Sequence, residues 1–234
     1  GGQAEPHRGN GGRGLGLSPA RRHALWFAAI ILVAANLRPV LTSVPPIVDS
    51  LVRVFGLSAI AAGALTTLPV LCMGLFAPLA AVGARRFGES TVLAGAVALI
   101  VAGAAIRSVA GLAGLYGGTA VAGVGIAVAG ALLPAVVRAR MPDRVGPVTG
   151  LYTAALIGGA LLAAGGTEPV RGWLDVGPQA VLAVWAVPAA VALGVWLVQW
   201  RFGETGGSVA GGSGVAGVAG GSGVAGVAGG SGVA

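Results

Sequence analysis

The chain has 234 residues, of which 56% are apolar and 9% charged, and its mean hydropathy is +0.90. Soluble domains are roughly 45–50% apolar and about 25% charged, so this composition excludes a soluble enzyme, a disordered protein and a coiled coil. All fourteen basic residues are arginine and, set against seven acids, leave a net charge of +7. In a soluble protein that excess would point to nucleic acid; here it asks which side of a membrane the arginines occupy.

Residues 1–20 are rich in Gly, Arg and polar residues without apolar periodicity, and predict a disordered cytoplasmic tail. Residues 21–202 hold six apolar runs, each near the roughly 20 residues that a helix needs to cross a bilayer. They are Ala24 to Val48, Ala59 to Val82, Thr91 to Val109, Gly111 to Val137, Val145 to Thr167 and Val176 to Val198. The connections are short and the runs do not alternate in polarity, so the expected fold class is all-α, a polytopic bundle of six transmembrane helices. With the N-terminus cytoplasmic, the inside segments carry Arg8, Arg13, Arg21, Arg22, Arg85, Arg86, Arg138, Arg140, Arg144 and Arg201, and the outside segments only Arg53, Arg107 and Arg171. The positive-inside rule then predicts cytoplasmic termini in a bacterial plasma membrane. Trp26, Trp173 and Trp200 fall where an aromatic belt would lie, and Trp185 and Trp196 deeper. From Gly211 a Gly-Gly-Ser-Gly-Val-Ala-Gly-Val-Ala unit repeats to Ala234, so residues 203–234 read as a low-complexity linker.

Arg38 is the most informative residue. It lies fourteen positions after Ala24, or about 21 Å along a helix at 1.5 Å per residue. An arginine at that depth costs at least about 2.5–3.5 kcal/mol, and no embedded Asp or Glu is available to pair with it; Asp49 is nearest in sequence. Two readings stand: a cationic group for an anionic or polar substrate, or a snorkelling or carbonyl-bonded structural residue. Asn36 precedes it, and Pro39, Pro45 and Pro46 follow and should bend the first helix. Thr42 and Ser43, and Tyr152 on the fifth run, are further polar candidates. Small residues four apart form two ladders suited to close helix packing: Gly114, Gly118 and Ala122, then Gly146, Gly150, Ala154 and Gly158. One cysteine, Cys72, and two histidines ahead of the first run leave no metal-ligand cluster, no Ser/His pair and no implied cofactor.

Asn36-Leu37-Arg38-Pro39-Val40-Leu41-Thr42-Ser43-Val44 resembles the first-helix motif of the cyanate and nitroimidazole transporter family of the major facilitator superfamily. Ala62-Gly63-Ala64-Leu65-Thr66-Thr67-Leu68-Pro69-Val70 looks like that family's second helix, and Pro142-Asp143-Arg144-Val145-Gly146 with Thr149-Gly150-Leu151-Tyr152-Thr153 its entry to the fifth. The resemblance covers roughly residues 24–202. It implies secondary transport of small polar or anionic solutes; the scarcity of ionisable groups argues separately against an enzyme, and no nucleic-acid partner is expected. The substrate-binding candidates are Arg38, Asn36, Thr42 and Tyr152, the helix-breaking or gating ones Pro39, Pro45 and Pro46. Arg85, Arg86 and Gly88 mark the loop after the second helix, where Arg85 stands in place of the superfamily's usual Asp. The family has twelve helices, so the resemblance further implies an N-terminal half, completed by a C-terminal six-helix half or by a homodimer partner. The alternative is a six-helix structural or accessory membrane protein without transport activity.

Overall fold

A computed structural model describes residues 19–109 and 111–203. The N-terminal tail up to residue 18 and the repeat tail from 204 lie outside the described residues. Eight α-helices follow one another: α1 Pro19–Leu37, α2 Pro39–Thr42, α3 Val48–Phe55, α4 Ala59–Phe87, α5 Glu89–Val109, α6 Gly111–Arg140, α7 Val145–Leu174 and α8 Ala186–Gly203. Short 3₁₀ turns lie at Pro45–Ile47, Pro142–Arg144 and Ala180–Trp185. No strand occurs among the described residues. Six stretches are long and apolar enough to cross a membrane: Ala24–Phe55, Ala59–Phe87, Glu89–Val109, Gly111–Arg140, Pro142–Leu174 and Ala180–Trp200. The described residues thus form the all-α, six-span bundle expected, with spans that outrun the apolar runs. The first continues through α3, and the fifth carries on through Glu168 and Arg171.

The first span is interrupted where proline withholds an amide. Pro39 cannot donate to the Ala35 carbonyl, and Pro45 and Pro46 cannot donate to Leu41 and Thr42. The chain breaks at Arg38, closes the short α2, and turns through Pro45–Ile47 before α3 resumes the span. Gly56, at φ +63°, ends α3 in the left-handed region, and the Ser58 hydroxyl then accepts from the Ala61 amide at 3.2 Å to start α4.

The largest packed cluster joins α1, α5, α6 and α8 around Trp26, Ile30, Leu93, Val97, Ile100, Leu133 and Trp196. Trp26 meets Trp196 edge-to-face at 5.4 Å. Trp26 therefore belongs to the core, at 6% exposure, and not to an interfacial belt. Arg140 stacks on its ring at 4.2 Å and donates to the Ser90 hydroxyl at 3.0 Å. The helices α5 and α6 touch through glycine: a Cβ on Gly103, Gly118 or Gly125 would run into the other helix's backbone. The ladder Gly114, Gly118 and Ala122 is buried in this seam. The second ladder is not a packing seam here, since a Cβ on Gly146, Gly150 or Gly158 would meet nothing within 4 Å. Gly159, one position on, makes the contact instead, lying against the Ala35 carbonyl that Pro39 leaves free. Outward apolar faces remain on α4, at Val70, Leu71, Leu75 and Leu79, and on α7, at Ile157, Leu161 and Leu162.

Candidate functional site: a groove at the break of the first span

Arg38 sits at the joint between α1 and α2, and its side chain is exposed on the bundle's surface. With Thr42 it lines a groove of about 430 Å³ whose far wall is α7: Thr153, Leu156, Ile157, Ala160, Leu161 and Ala164. One guanidinium and two threonine hydroxyls thus face an otherwise apolar trough that contains no carboxylate. Its local frame is tight. The Arg38 carbonyl accepts from the Leu41 amide at 2.9 Å, the Thr42 amide at 3.1 Å and the Thr42 hydroxyl at 3.1 Å. The turn that carries Arg38 is therefore closed on its own backbone.

Of the four substrate-binding candidates, Arg38 and Thr42 share this groove and the other two do not line it. Asn36 is buried, and its amide donates to the Leu32 carbonyl one turn back at 2.7 Å; two residues from Arg38 on a helix it lies on another face. Tyr152 is half-buried and packs against the main core cluster. Thr153, its neighbour, is the α7 polar group that lines the groove. Pro39 is buried at the start of α2, Pro45 is exposed and Pro46 half-buried at the following turn. Arg85 and Arg86 are exposed in the last turn of α4; the Arg86 guanidinium lies 5.5 Å from the Phe87 ring centre. Gly88 makes the α4–α5 corner at φ +84°, where a side chain would be strained.

Arg107 is the residue whose burial sequence reasoning missed. The sequence puts it near the end of the third apolar run, among the outside segments; it stands in the last turn of α5 and is completely buried, at 0% exposure. Its guanidinium donates to the Val40 carbonyl at 2.7 Å and to the Ser43 hydroxyl at 2.9 Å. Its Nε has no partner, and the ion pair among the described residues, Arg171 with Glu168, lies on α7. Arg107 thus reaches the broken span from the side opposite the groove.

A larger cavity, of about 820 Å³, opens at the arginine-rich end between α1 and the α6–α7 corner, lined by Phe27, Arg140, Asp143, Arg144, Val148 and Leu151 among others. Size alone does not make it the better site. Its arginines have Asp143 beside them, and Arg140 is already engaged with Trp26 and Ser90, whereas Arg38 has no acidic neighbour in its groove. No group of three or more His, Cys, Asp or Glu residues that could hold a metal occurs among the described residues.

No family model matches the chain. Three curated proteins are similar to it. The 2-nitroimidazole transporter of Escherichia coli K12 is 39% identical over 178 residues, covering 74% of this chain and 44% of the relative. An uncharacterized transporter of Bacillus subtilis 168, YycB, is 37% identical over 177 residues, covering 75% and 44%. The cyanate transport protein CynX of E. coli K12 is 36% identical over 171 residues, covering 71% and 44%. The resemblance carried by the first-helix motif therefore stands, and the chain spans less than half the length of the relatives it matches.

Proposed function

We propose that this chain is one six-helix bundle of a major facilitator-type secondary transporter for small anionic or polar solutes, with Arg38 as the group that binds them. The kinship with a cyanate and a 2-nitroimidazole transporter supports transport. The observation that carries the site is the unpaired Arg38 guanidinium facing an apolar groove with Thr42 and Thr153. Cyanate is a small anion, and a nitro group offers two coplanar oxygens. Either could accept from a planar guanidinium fork, for which Lys is a poor substitute. Desolvation in an apolar trough strengthens such a bond, because the competing water is gone.

On this reading the bundle works against a second one of similar size. Transporters of this kind hold substrate near the membrane midplane between two bundles and rock one against the other. Coverage of 44% of each relative supports a half, and the outward apolar faces of α4 and α7 offer the surface for a partner or for lipid. A C-terminal six-helix half is favoured over a homodimer, which would bring two Arg38 charges to one cavity. The arginine-rich end is assigned to the cytoplasm under the positive-inside rule. An accessory protein without transport has no evident use for an unpaired arginine in a groove that costs several kcal/mol to maintain.

The test is uptake of radiolabelled cyanate or a nitroimidazole by membrane vesicles holding the complete transporter. Arg38→Ala is expected to abolish saturable uptake with membrane protein levels retained, and Arg38→Lys to restore little of it. Wild-type uptake by Arg38→Ala refutes the assignment.

A further inference from the structure

We infer that Arg107 is the positioning residue of the Arg38 groove: it pins the break of the first span from behind, so that Arg38 keeps its place in front. The inference rests on the reading of Arg38 as the binding group, and its test is built to fail separately.

A helix that ends inside apolar surroundings leaves carbonyls without amide partners, and in a membrane each must be satisfied by protein. The break at residues 38–47 has this problem on two sides. Towards α7, the Ala35 carbonyl, freed by Pro39, lies against Gly159, where the missing side chain lets α7 come close. Towards α5, the Val40 carbonyl and the Ser43 hydroxyl both accept from Arg107, at 2.7 and 2.9 Å. Val40 and Ser43 belong to the turn whose amides and hydroxyl close on the Arg38 carbonyl. Holding that turn from its buried side therefore fixes where the Arg38 backbone stands.

A pin must itself be anchored, and Arg107 is anchored through its main chain. Gly118 of α6 lies so close that a Cβ there would meet the Arg107 backbone nitrogen and, at 2.8 Å, its Cβ. The Arg107 carbonyl accepts from the Gln179 side-chain amide at 2.9 Å, and the same amide bonds the Gly111 carbonyl at 2.9 Å. The α5–α6 corner and the start of the sixth span thus hold the arginine, and the arginine holds the break. A merely space-filling residue at this position would need neither the fork nor the charge. Burying a guanidinium with no acid is costly, and two charge-assisted bonds to the broken span are what the position has in return.

The experiment uses the complete transporter in vesicles, with KM and kcat of anion uptake read for wild type, Arg107→Leu, Arg107→Lys and Ser43→Ala, and deuterium exchange of the 38–48 amides on the same proteins. Arg107→Leu, which removes both charge-assisted bonds, is expected to raise KM by about tenfold or more and to speed exchange in 38–48 ahead of the other spans. Arg107→Lys should recover part of both changes. Ser43→Ala should raise KM less, and add less on top of Arg107→Leu than it does alone, because the Arg107 bond is lost in both and only the long Ser43 bond to the Val40 carbonyl, at 3.4 Å, is left to lose. Wild-type KM and exchange in Arg107→Leu overturn the inference even if Arg38→Ala abolishes uptake. If Arg38→Ala leaves uptake intact, the binding assignment fails, while exchange in 38–48 still decides whether Arg107 holds the break. Should Arg107→Leu not reach the membrane, Arg107→Lys and Ser43→Ala decide: KM and exchange unchanged in both overturn the inference.

Discussion

Gly117 and Gly118 are neighbours on α6, and the structure assigns them opposite responses to the same added methyl group. A Cβ on Gly118 would lie 2.6 Å from the Gly103 carbonyl oxygen, where ordinary contact begins at 3.4 Å. Relief requires 3.4 − 2.6 = 0.8 Å of separation between two helix backbones, and neither can yield by rotating a side chain. Overpacking of that kind costs about 1–3 kcal/mol, only partly offset by the gain of up to about 1 kcal/mol when Ala replaces Gly in a helix. A Cβ on Gly117 meets nothing within 4 Å, so Gly117→Ala keeps the helix gain without the clash. Thermal unfolding in detergent, followed by tryptophan fluorescence, should therefore rank Gly117→Ala at or above wild type and Gly118→Ala clearly below it. Equal midpoints for the two variants would refute the close approach of α5 and α6. Because Gly118 also backs Arg107, the same variant should weaken anion uptake in the complete transporter.

Two further expectations concern the arginine-rich end. Arg140→Ala removes the stacking on Trp26 at 4.2 Å and the bond to Ser90, and should cost about 1–3 kcal/mol of stability in the same unfolding assay; Arg140→Lys should recover less than half, since the planar stack is lost. For orientation, a cysteine placed at Phe87 should react with a membrane-impermeant thiol reagent only from the cytoplasmic side and one at Val54 only from outside; the reverse pattern would overturn the assigned topology.

The number of spans and the break in the first were legible because both rest on strong local signals: runs of about 20 apolar residues, and prolines that withhold amides. Which face of each span is buried was not legible. In a soluble helix the apolar stripe marks the core, but in a membrane the outward face is as apolar as the inward one, and periodicity loses its meaning. Arg107 illustrates the cost. Leu93, Val97, Ile100, Gly103, Ala104 and Arg107 form one buried stripe of α5, yet Leu99 and Ile106 on the other face are just as apolar. Nothing local tells the stripes apart, so the sequence puts Arg107 near the end of the third run without showing that its side chain is buried. Gly158 and Gly159 pose the same problem one step apart: both are small, and only the crossing with α1 selects the second. Asn36 was drawn to the site by its nearness to Arg38 in sequence, although a helix separates positions two apart by more than half a turn.

The two arginines at the break explain each other. Arg107 can lie without an acid because the broken span offers it a carbonyl and a hydroxyl, both in the short stretch between the breaks at Pro39 and Pro45. An unbroken first span would keep the Val40 carbonyl for its own ladder and leave Arg107 the Ser43 hydroxyl alone. The same break turns Arg38 outward, where no protein acceptor reaches it in the groove. Both charges are therefore positive and neither is neutralised by a carboxylate of this bundle, so the field in the groove favours an anion over a cation or a neutral solute of equal size. Under the proposed function, selectivity begins with this unbalanced charge, and the threonines Thr42 and Thr153 refine it. Placing a carboxylate on the wall, as in Ala160→Glu, should then give Arg38 a permanent partner and suppress anion uptake, whereas Ala160→Gln, similar in size but uncharged, should do so far less. Equal loss in the two variants would mean that the groove selects by shape and that the charge of Arg38 is incidental.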